Sequence, residues 1–505
     1  MKFNFFTIAL CCCLFLKLTN TVAQKTDQPN LILIITDEHN FRTIGMYKEI
    51  LAKRGLSELA NPWGEIPNFS TPFIDRIGKE GATLTSMYSS TPSCAPSRAS
   101  MFTGNYPQTV GVPKNGKGLK KNAQTIAKVL NKADYKTGYI GKWHLAVDNA
   151  KPGWQPDPAY HGFTDHKYMF NRGHWKKIEM KNNSPYIPDE NSRKATTTAN
   201  EETFTTDFLT NRTLEFIEEN QKDPFMCVLS LPDPHTPNLV RSPYDTMYKK
   251  SDVKLPNTYS TTKLREEDHP SWITKKQRFK IGYDSTKLIH QVTQYHGMVK
   301  CIDDNVGKIF QKLEDLNILD NTIIVFTSDH GDMLGEHGHE NKGTPYESSA
   351  LIPFLIRYPK GVNQGTVVDY AFNTTDWMDT FLSLMQVDKA VFDPNSTEGH
   401  DFSSLLKDGD KSTFENTTFV RIDSWVAAIT DRYKLVYDAQ LKKPWLYDLQ
   451  KDPSESQNLF DQEEYKSIIS ALSIKLLKYG KRTNDSVVNN AKMQAHIKQN
   501  ITESK

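Results

Sequence analysis

The chain has 505 residues, 37% hydrophobic and 11% aromatic, an ordinary balance for a globular protein that excludes disorder over most of its length. Its 62 Lys and Arg stand against 60 Asp and Glu, a formal charge of +2, so net charge implies neither a nucleic-acid partner nor attachment to a membrane surface.

In chain order, residues 1–23 predict a secretory signal: Lys2, the apolar run from Phe3 to Leu18, then Thr21-Val22-Ala23 as a small-residue cleavage site. The expected location is therefore outside the cytoplasm, periplasmic or secreted. Cys11, Cys12 and Cys13 lie inside the apolar run, and none follows a small residue other than Cys, which argues against lipid attachment there. Removing the leader takes Lys2 and Lys17 with it, and the formal charge becomes 2 − 2 = 0. It leaves Cys94, Cys227 and Cys301, an odd set that cannot form a disulfide framework. No later apolar run has the length needed to span a bilayer.

Asn30 to Thr36 is short, wholly apolar in its middle and rich in Ile, as expected of a central parallel strand covered on both faces. Similar runs occur at Phe225–Leu231, Thr322–Thr327 and Ile352–Arg357. Helical patterns fall between them at about Asn122–Ala133, Thr205–Asn220, Lys287–Leu316 and Thr375–Met385, so the alternation predicts a doubly wound α/β sheet. Two stretches, Trp154–Ala199 and Pro243–Phe279, predict long insertions, the first over the rim of that sheet. After Gly399, short β-like runs at Thr417–Ile422, Val426–Thr430, Tyr433–Tyr437 and Trp445–Leu449 precede a helical stretch. They predict a smaller antiparallel sheet with a helix, and hence a main domain over 24–395 and a C-terminal subdomain over 396–505.

In open α/β sheets, ligands gather at the carboxyl ends of the strands. Asp37 and Glu38 follow the first strand and Asp329 and His330 follow the third, so two acidic clusters are expected to meet on one rim. Hard oxygens with one imidazole suit Ca²⁺ or Mg²⁺ better than a thiol-seeking metal. Taken alone, such residues are more often helix caps or loop residues. The segment Cys94-Ala-Pro-Ser-Arg98 stands just ahead of a predicted helix start, where Pro96 suits the first turn, Ser97 and Ser100 can serve its free N–H groups, and the dipole would face an anion at Cys94. Cys227, inside an apolar strand, is expected to be an inert core residue.

Cys94-Ala-Pro-Ser-Arg98, followed after four residues by Thr103-Gly104, resembles the signature of the type I, formylglycine-dependent sulfatases of the alkaline phosphatase superfamily. Tyr135-Lys-Thr-Gly-Tyr-Ile-Gly-Lys142-Trp-His144 resembles that family's second signature, with Asp134 where Gly is usual. The resemblance runs from about Pro29 to Leu459 and implies an alkaline-phosphatase-like α/β sandwich with a large mixed central sheet. It implies that Asp37, Glu38, Asp329 and His330 hold a divalent metal, Ca²⁺ in preference to Mg²⁺, together with residue 94. Glu38 is a departure, since Asp or Gln is more usual there.

By the same resemblance, a separate maturation enzyme oxidises Cys94 to formylglycine, whose hydrated form attacks the sulfur of a sulfate ester in line. Arg98, Lys142 and Lys342 would then neutralise the sulfate, His235 would protonate the departing alcohol, and His144 would bond the second hydroxyl of the diol. Lys142 and His144 are expected to share one face of an extended segment. His235 lies in the proline-bounded run Asp-Pro-His-Thr-Pro, a rigid mount for an acid. The expected substrate is a sulfated carbohydrate, with algal polymers of the ulvan or carrageenan type as the leading candidates. Two rival functions share the features: a phosphate or phosphonate ester hydrolase on the same fold, and a sulfated-glycan binder with Cys94 unconverted.

Overall fold

The computed structural model describes residues 28–148, 150–259, 270–272, 285–388, 390–412 and 414–502. The predicted leader, and much of the Pro243–Phe279 insertion, lie outside the described residues.

The main sheet is built from β1 (Asn30–Asp37), β2 (Ala82–Leu84), β3 (Lys136–Lys142), β4 (Met169–Phe170), β5 (Phe225–Pro234), β6 (Thr322–Ser328), β7 (Phe354–Arg357) and β8 (Thr366–Val368). Their spatial order is β8-β2-β7-β6-β1-β5-β3-β4. β1 pairs in parallel with both β5 and β6, whereas β7 runs antiparallel to β6 and to β2, which makes the sheet mixed.

Every residue of β1 is buried, and its side chains divide between two cores. Leu31, Leu33 and Ile35 face one side with Val228, Val325 and Ile356; Ile32 and Ile34 face the other with Leu229, Phe326 and Leu355. This period-2 division explains the unbroken apolar runs: a strand covered on both faces has no solvent side to mark with polar residues.

The helices that cover the sheet are α1 (Pro72–Lys79), α2 (Cys94–Thr103), α3 (Ile126–Lys132), α4 (Thr205–Asn220), α5 (Ser285–Asp315) and α6 (Trp377–Leu384). Ala95, Ala99 and Phe102 of α2 pack on the first face with Val129 of α3 and Trp377 of α6. Ile74 of α1, Phe208 of α4 and Ile302 of α5 pack on the second.

The C-terminal strands β9 (Thr418–Ile422), β10 (Trp425–Ile429), β11 (Tyr433–Asp438) and β12 (Trp445–Asp448) form an antiparallel meander, and α7 (Lys466–Arg482) follows. Val426, Leu435 and Leu446 meet Ile469, Leu472 and Leu476 of α7, while Trp425, Ala427 and Tyr447 turn toward the body of the molecule. Among the described residues, no helix is long and apolar enough to cross a membrane.

Candidate active site

β1 and β6 lie side by side in register, Thr36 opposite Ser328, so the chain leaves both strands at the same rim. This places Asp37 and Asp329 together although 292 positions separate them. Glu38 takes a left-handed backbone, φ 63°, and its N–H donates to Asp329 Oδ1 at 3.1 Å. A non-glycine residue held there stores strain, which the surrounding bonds maintain. Tyr295 contributes to this, its hydroxyl donating to the Glu38 carbonyl at 2.7 Å and accepting from Asn40 N–H at 2.9 Å.

Helix α2 begins at Cys94 itself, one residue earlier than the sequence suggested, and all ten of its residues are buried. The expected serine capping is not what the structure has. Ser97 Oγ is buried without a hydrogen-bond partner, Ser100 Oγ accepts from Ser90, and Asn115 Oδ1 takes the Ala95 N–H at 2.9 Å. A cap from a distant loop leaves the first turn beside Cys94 clear of its own side chains.

Ligand atoms of Asp37, Cys94, Asp329 and His330 lie within 4.8 Å of one another. Cys94 Sγ is 3.2 Å from His330 Nε2 and 3.8 Å from Asp37 Oδ1. Burial, and then the neighbouring Asp37, push the Asp329 carboxyl above its ordinary range. Two buried carboxylates converging with an imidazole make a donor set that fits a hard divalent cation. Glu38 stands outside this group of four. Its Oε2 meets His235 Nε2 at 2.9 Å and Lys342 Nζ at 3.1 Å, and its Oε1 is buried without a hydrogen-bond partner, a donor still free for a cation. Burial alone would raise the Glu38 carboxyl, but His235 and Lys342 hold it down to about 2.

Three cations line the other side. Arg98 Nε donates to Asp329 Oδ2 at 2.8 Å, and one of its terminal nitrogens donates to the Lys142 carbonyl at 2.7 Å and to Ser230 Oγ at 2.8 Å. Its other terminal nitrogen is buried with no hydrogen-bond partner. Lys142, at the end of β3, bonds Asp37 Oδ2. Burial would raise the Cys94 thiol, yet Lys142 and Lys342 pull it well below the usual range. The pocket thus stabilises a negative charge at residue 94.

Lys142 and His144 both come close to Cys94, though not through strand alternation as expected: β3 ends at Lys142, and His144 has φ 63°. Burial, then Lys142, lower the His144 imidazole to about 4, and the nearby thiol offsets part of that shift. Neither ring nitrogen has a partner in acceptable hydrogen-bond geometry. Asp134, at the usual glycine position, adopts φ 61°, a left-handed turn that Asp tolerates better than most residues. His235 follows β5, and its Nδ1 lies 2.7 Å from the Thr236 carbonyl, which leaves Nε2 turned toward Glu38 and Lys342.

The sequence reading missed His174. It comes from the first insertion, its Nε2 is 3.2 Å from Asp37 Oδ2 and 2.9 Å from Lys142 Nζ, and its ring stacks on that of His235 with centroids 3.6 Å apart. A lone histidine in an aromatic, basic loop carries no spacing signal. Its contacts with Asp37, Lys142 and His235 mark it. Cys227 and Cys301 are buried and stand outside the clustered ligand groups, and burial raises both thiols far above their ordinary value, as inert core residues require.

The sulfatase family model matches residues 29–387, and a model described as N-sulphoglucosamine sulphohydrolase, C-terminal, matches residues 335–482. An ulvan-active sulfatase of Formosa agariphila is 26% identical over 487 residues, covering 91% of this chain and 82% of its own length. A solved structure described as bound to its substrate D-glucosamine-2-N,6-O-disulfate superposes with TM-score 0.71 at 21% identity, covering 91% of this chain and 99% of its own. A phosphonate monoester hydrolase from Silicibacter pomeroyi superposes with TM-score 0.70 at 21% identity, covering 92% and 97%, so the fold alone is common to both chemistries. The family implies a formylglycine made from cysteine and a divalent metal, and with its model spanning the whole main sheet this chain belongs to the sulfatase family, sulfuric ester hydrolases of alkaline-phosphatase-like fold.

Proposed function

We propose that the protein removes sulfate from a sulfated carbohydrate, an algal polysaccharide of the ulvan or carrageenan type or its oligosaccharides, after export to the periplasm or beyond the cell. The observation that carries this reading is the position of Cys94: it is buried at a helix start between two converging carboxylates and three cations, a setting that serves an anion and no packing role. The likeness to a sulfatase active on ulvan supports the substrate class.

In this reading a formylglycine-generating enzyme is an obligatory partner, because the thiol itself could not release a bound sulfate. Hydrated formylglycine supplies a nucleophile that can later revert to an aldehyde, and the cation, Ca²⁺ by its hard donors, supplies positive charge at that nucleophile and at the sulfate oxygens. Asp37, Glu38, Asp329 and His330 would hold it.

The remaining work falls to this chain's side chains. Arg98, Lys142 and Lys342 face the charge that develops on sulfate, in a buried site where fixed cations act at low dielectric. His235 gives its Nε2 proton to the departing sugar oxygen, while its Nδ1 keeps its own proton and donates it in a hydrogen bond to the Thr236 carbonyl. His144, beside the residue 94 side chain and held neutral by burial, is free to accept a proton there.

A panel of defined sulfated oligosaccharides, assayed beside a phosphonate monoester, tests the reading. Sulfate release from ulvan- or carrageenan-derived members with slower phosphonate turnover is expected. Faster phosphonate hydrolysis would transfer the site to the second chemistry.

A further inference from the structure

His174 and His235 come from chain segments 61 positions apart, yet their rings lie parallel, 3.6 Å between centroids and 5° between planes. The backbone explains how. Two residues beyond His174, Lys176 is fully buried and donates to Asp233 Oδ1 at 2.5 Å; two residues beyond Asp233 stands His235. Asp233 Oδ2 also accepts from Thr206 Oγ1 at 2.9 Å, and Thr205 Oγ1 donates to the Trp175 carbonyl at 2.7 Å. Breaking a buried pair of this kind leaves an uncompensated charge, so the Lys176–Asp233 clamp is a costly contact to lose. It fastens the insertion to the end of β5 at the level of the two rings.

Asp37, His174 and His235 approach closely enough to hold a cation. However, Lys142 Nζ lies 2.9 Å from His174 Nε2, and Lys342 Nζ lies 2.8 Å from His235 Nε2. The two lysine side chains stand in the space that a metal would need. What the arrangement offers instead is a fixed ring plane.

We propose that His174 is a positioning residue for proton donation: by stacking on His235 it holds the ring plane in which His235 Nε2 meets the leaving oxygen. The inference rests on the general-acid reading of His235. In that step the S–O bond to the sugar breaks, the Nε2–H bond of the imidazolium breaks, an O–H bond forms on the departing sugar oxygen, and the imidazole is left neutral with its proton on Nδ1. A ring free to rotate about its side-chain bonds would spend only part of its time in line with that oxygen, and misplacement by an ångström is enough to slow a proton transfer markedly.

The test compares matured, metal-loaded wild type with His174→Ala and His174→Phe on a sulfated sugar and on an activated aryl sulfate. The aryl oxide departs without much need of an acid, so it reports the sulfate pocket alone. His174→Ala should lower kcat on the sugar by about ten- to a hundredfold, and should slow the aryl reaction by a clearly smaller factor that reports its lost contacts with Asp37 and Lys142. Phe keeps a flat ring against His235 and should restore most of that loss. In a His235→Ala background, His174→Ala should cost nothing further. An equal loss on both substrates, a Phe variant as slow as Ala, or an additive loss in the double variant would overturn the proposal. Failure of wild type on both sulfates would instead overturn the proposed function, and with it the premise of this proposal.

Discussion

Arg98 is fully buried and is answered by Asp329 at 2.8 Å and Asp37 at 4.0 Å. Three cations collected around one thiol cost more desolvation than a core position would tolerate, and each is balanced by a carboxylate that the site also uses. Within that set the residues divide by what they would touch. In the proposed reaction His235 would face the leaving oxygen, whereas Lys342 would face the sulfate common to all substrates. His235→Ala should therefore lose about two to four orders of magnitude on a sulfated sugar and far less on an activated aryl sulfate. Lys342→Ala should slow both alike. Steady-state kcat/KM on the two substrates checks this, and an equal penalty from His235→Ala would make it a binding residue, leaving His144 to supply the proton.

At the scale of elements, the loop that carries Lys342 is held from the C-terminal sheet. Trp425 Nε1, on β10, donates to the Gly343 carbonyl at 3.0 Å, and the buried Lys434 of β11 donates to the Pro345 carbonyl at 2.7 Å and to Glu347 Oε1 at 2.5 Å. Gly343, at φ 93°, lets the chain turn directly after the lysine. Trp425→Phe keeps a large apolar ring but removes that donor. It should cost about 1 kcal/mol at the loop, and kcat/KM on sugar and aryl sulfates should fall together by about fivefold. Unchanged kinetics would show that the loop holds Lys342 unaided.

Much of this scaffold could be seen in the residues themselves. Asp37 and Asp329 were legible because an apolar run that ends in an acid marks a strand leaving the core at its carboxyl end. β9 to β12 were legible as short β-like runs after Gly399. His174 was not, because its role depends on the Lys176–Asp233 clamp, which joins segments with no local relation. The left-handed turns at Glu38 and His144 were also hidden, since neither residue type announces positive φ. Asn115 as the cap of α2 was masked by two nearer serines.

Across the whole molecule, fold and site are coupled through charge. The sheet brings Asp37, Glu38, Asp329 and His330 into one buried rim, and a cation bound there stabilises the native state alone. Free Ca²⁺ at 100 times its dissociation constant would add about 2.7 kcal/mol. Chelation should lower the thermal midpoint and abolish turnover together, and added Ca²⁺ should restore both. Asp37→Asn and Asp329→Asn should each lose the metal by elemental analysis, and stoichiometric Ca²⁺ retained in both would contradict the ligand assignment. The central claim is that catalysis starts from residue 94, and sulfate release tests it most directly. The chain and its Cys94→Ala variant, each produced together with a formylglycine-generating enzyme, are assayed on the best sulfated oligosaccharide of the panel. The account predicts turnover by the first and none by the second, with matching thermal midpoints, since only a small side chain at the helix start is lost. Comparable sulfate release by Cys94→Ala would contradict it.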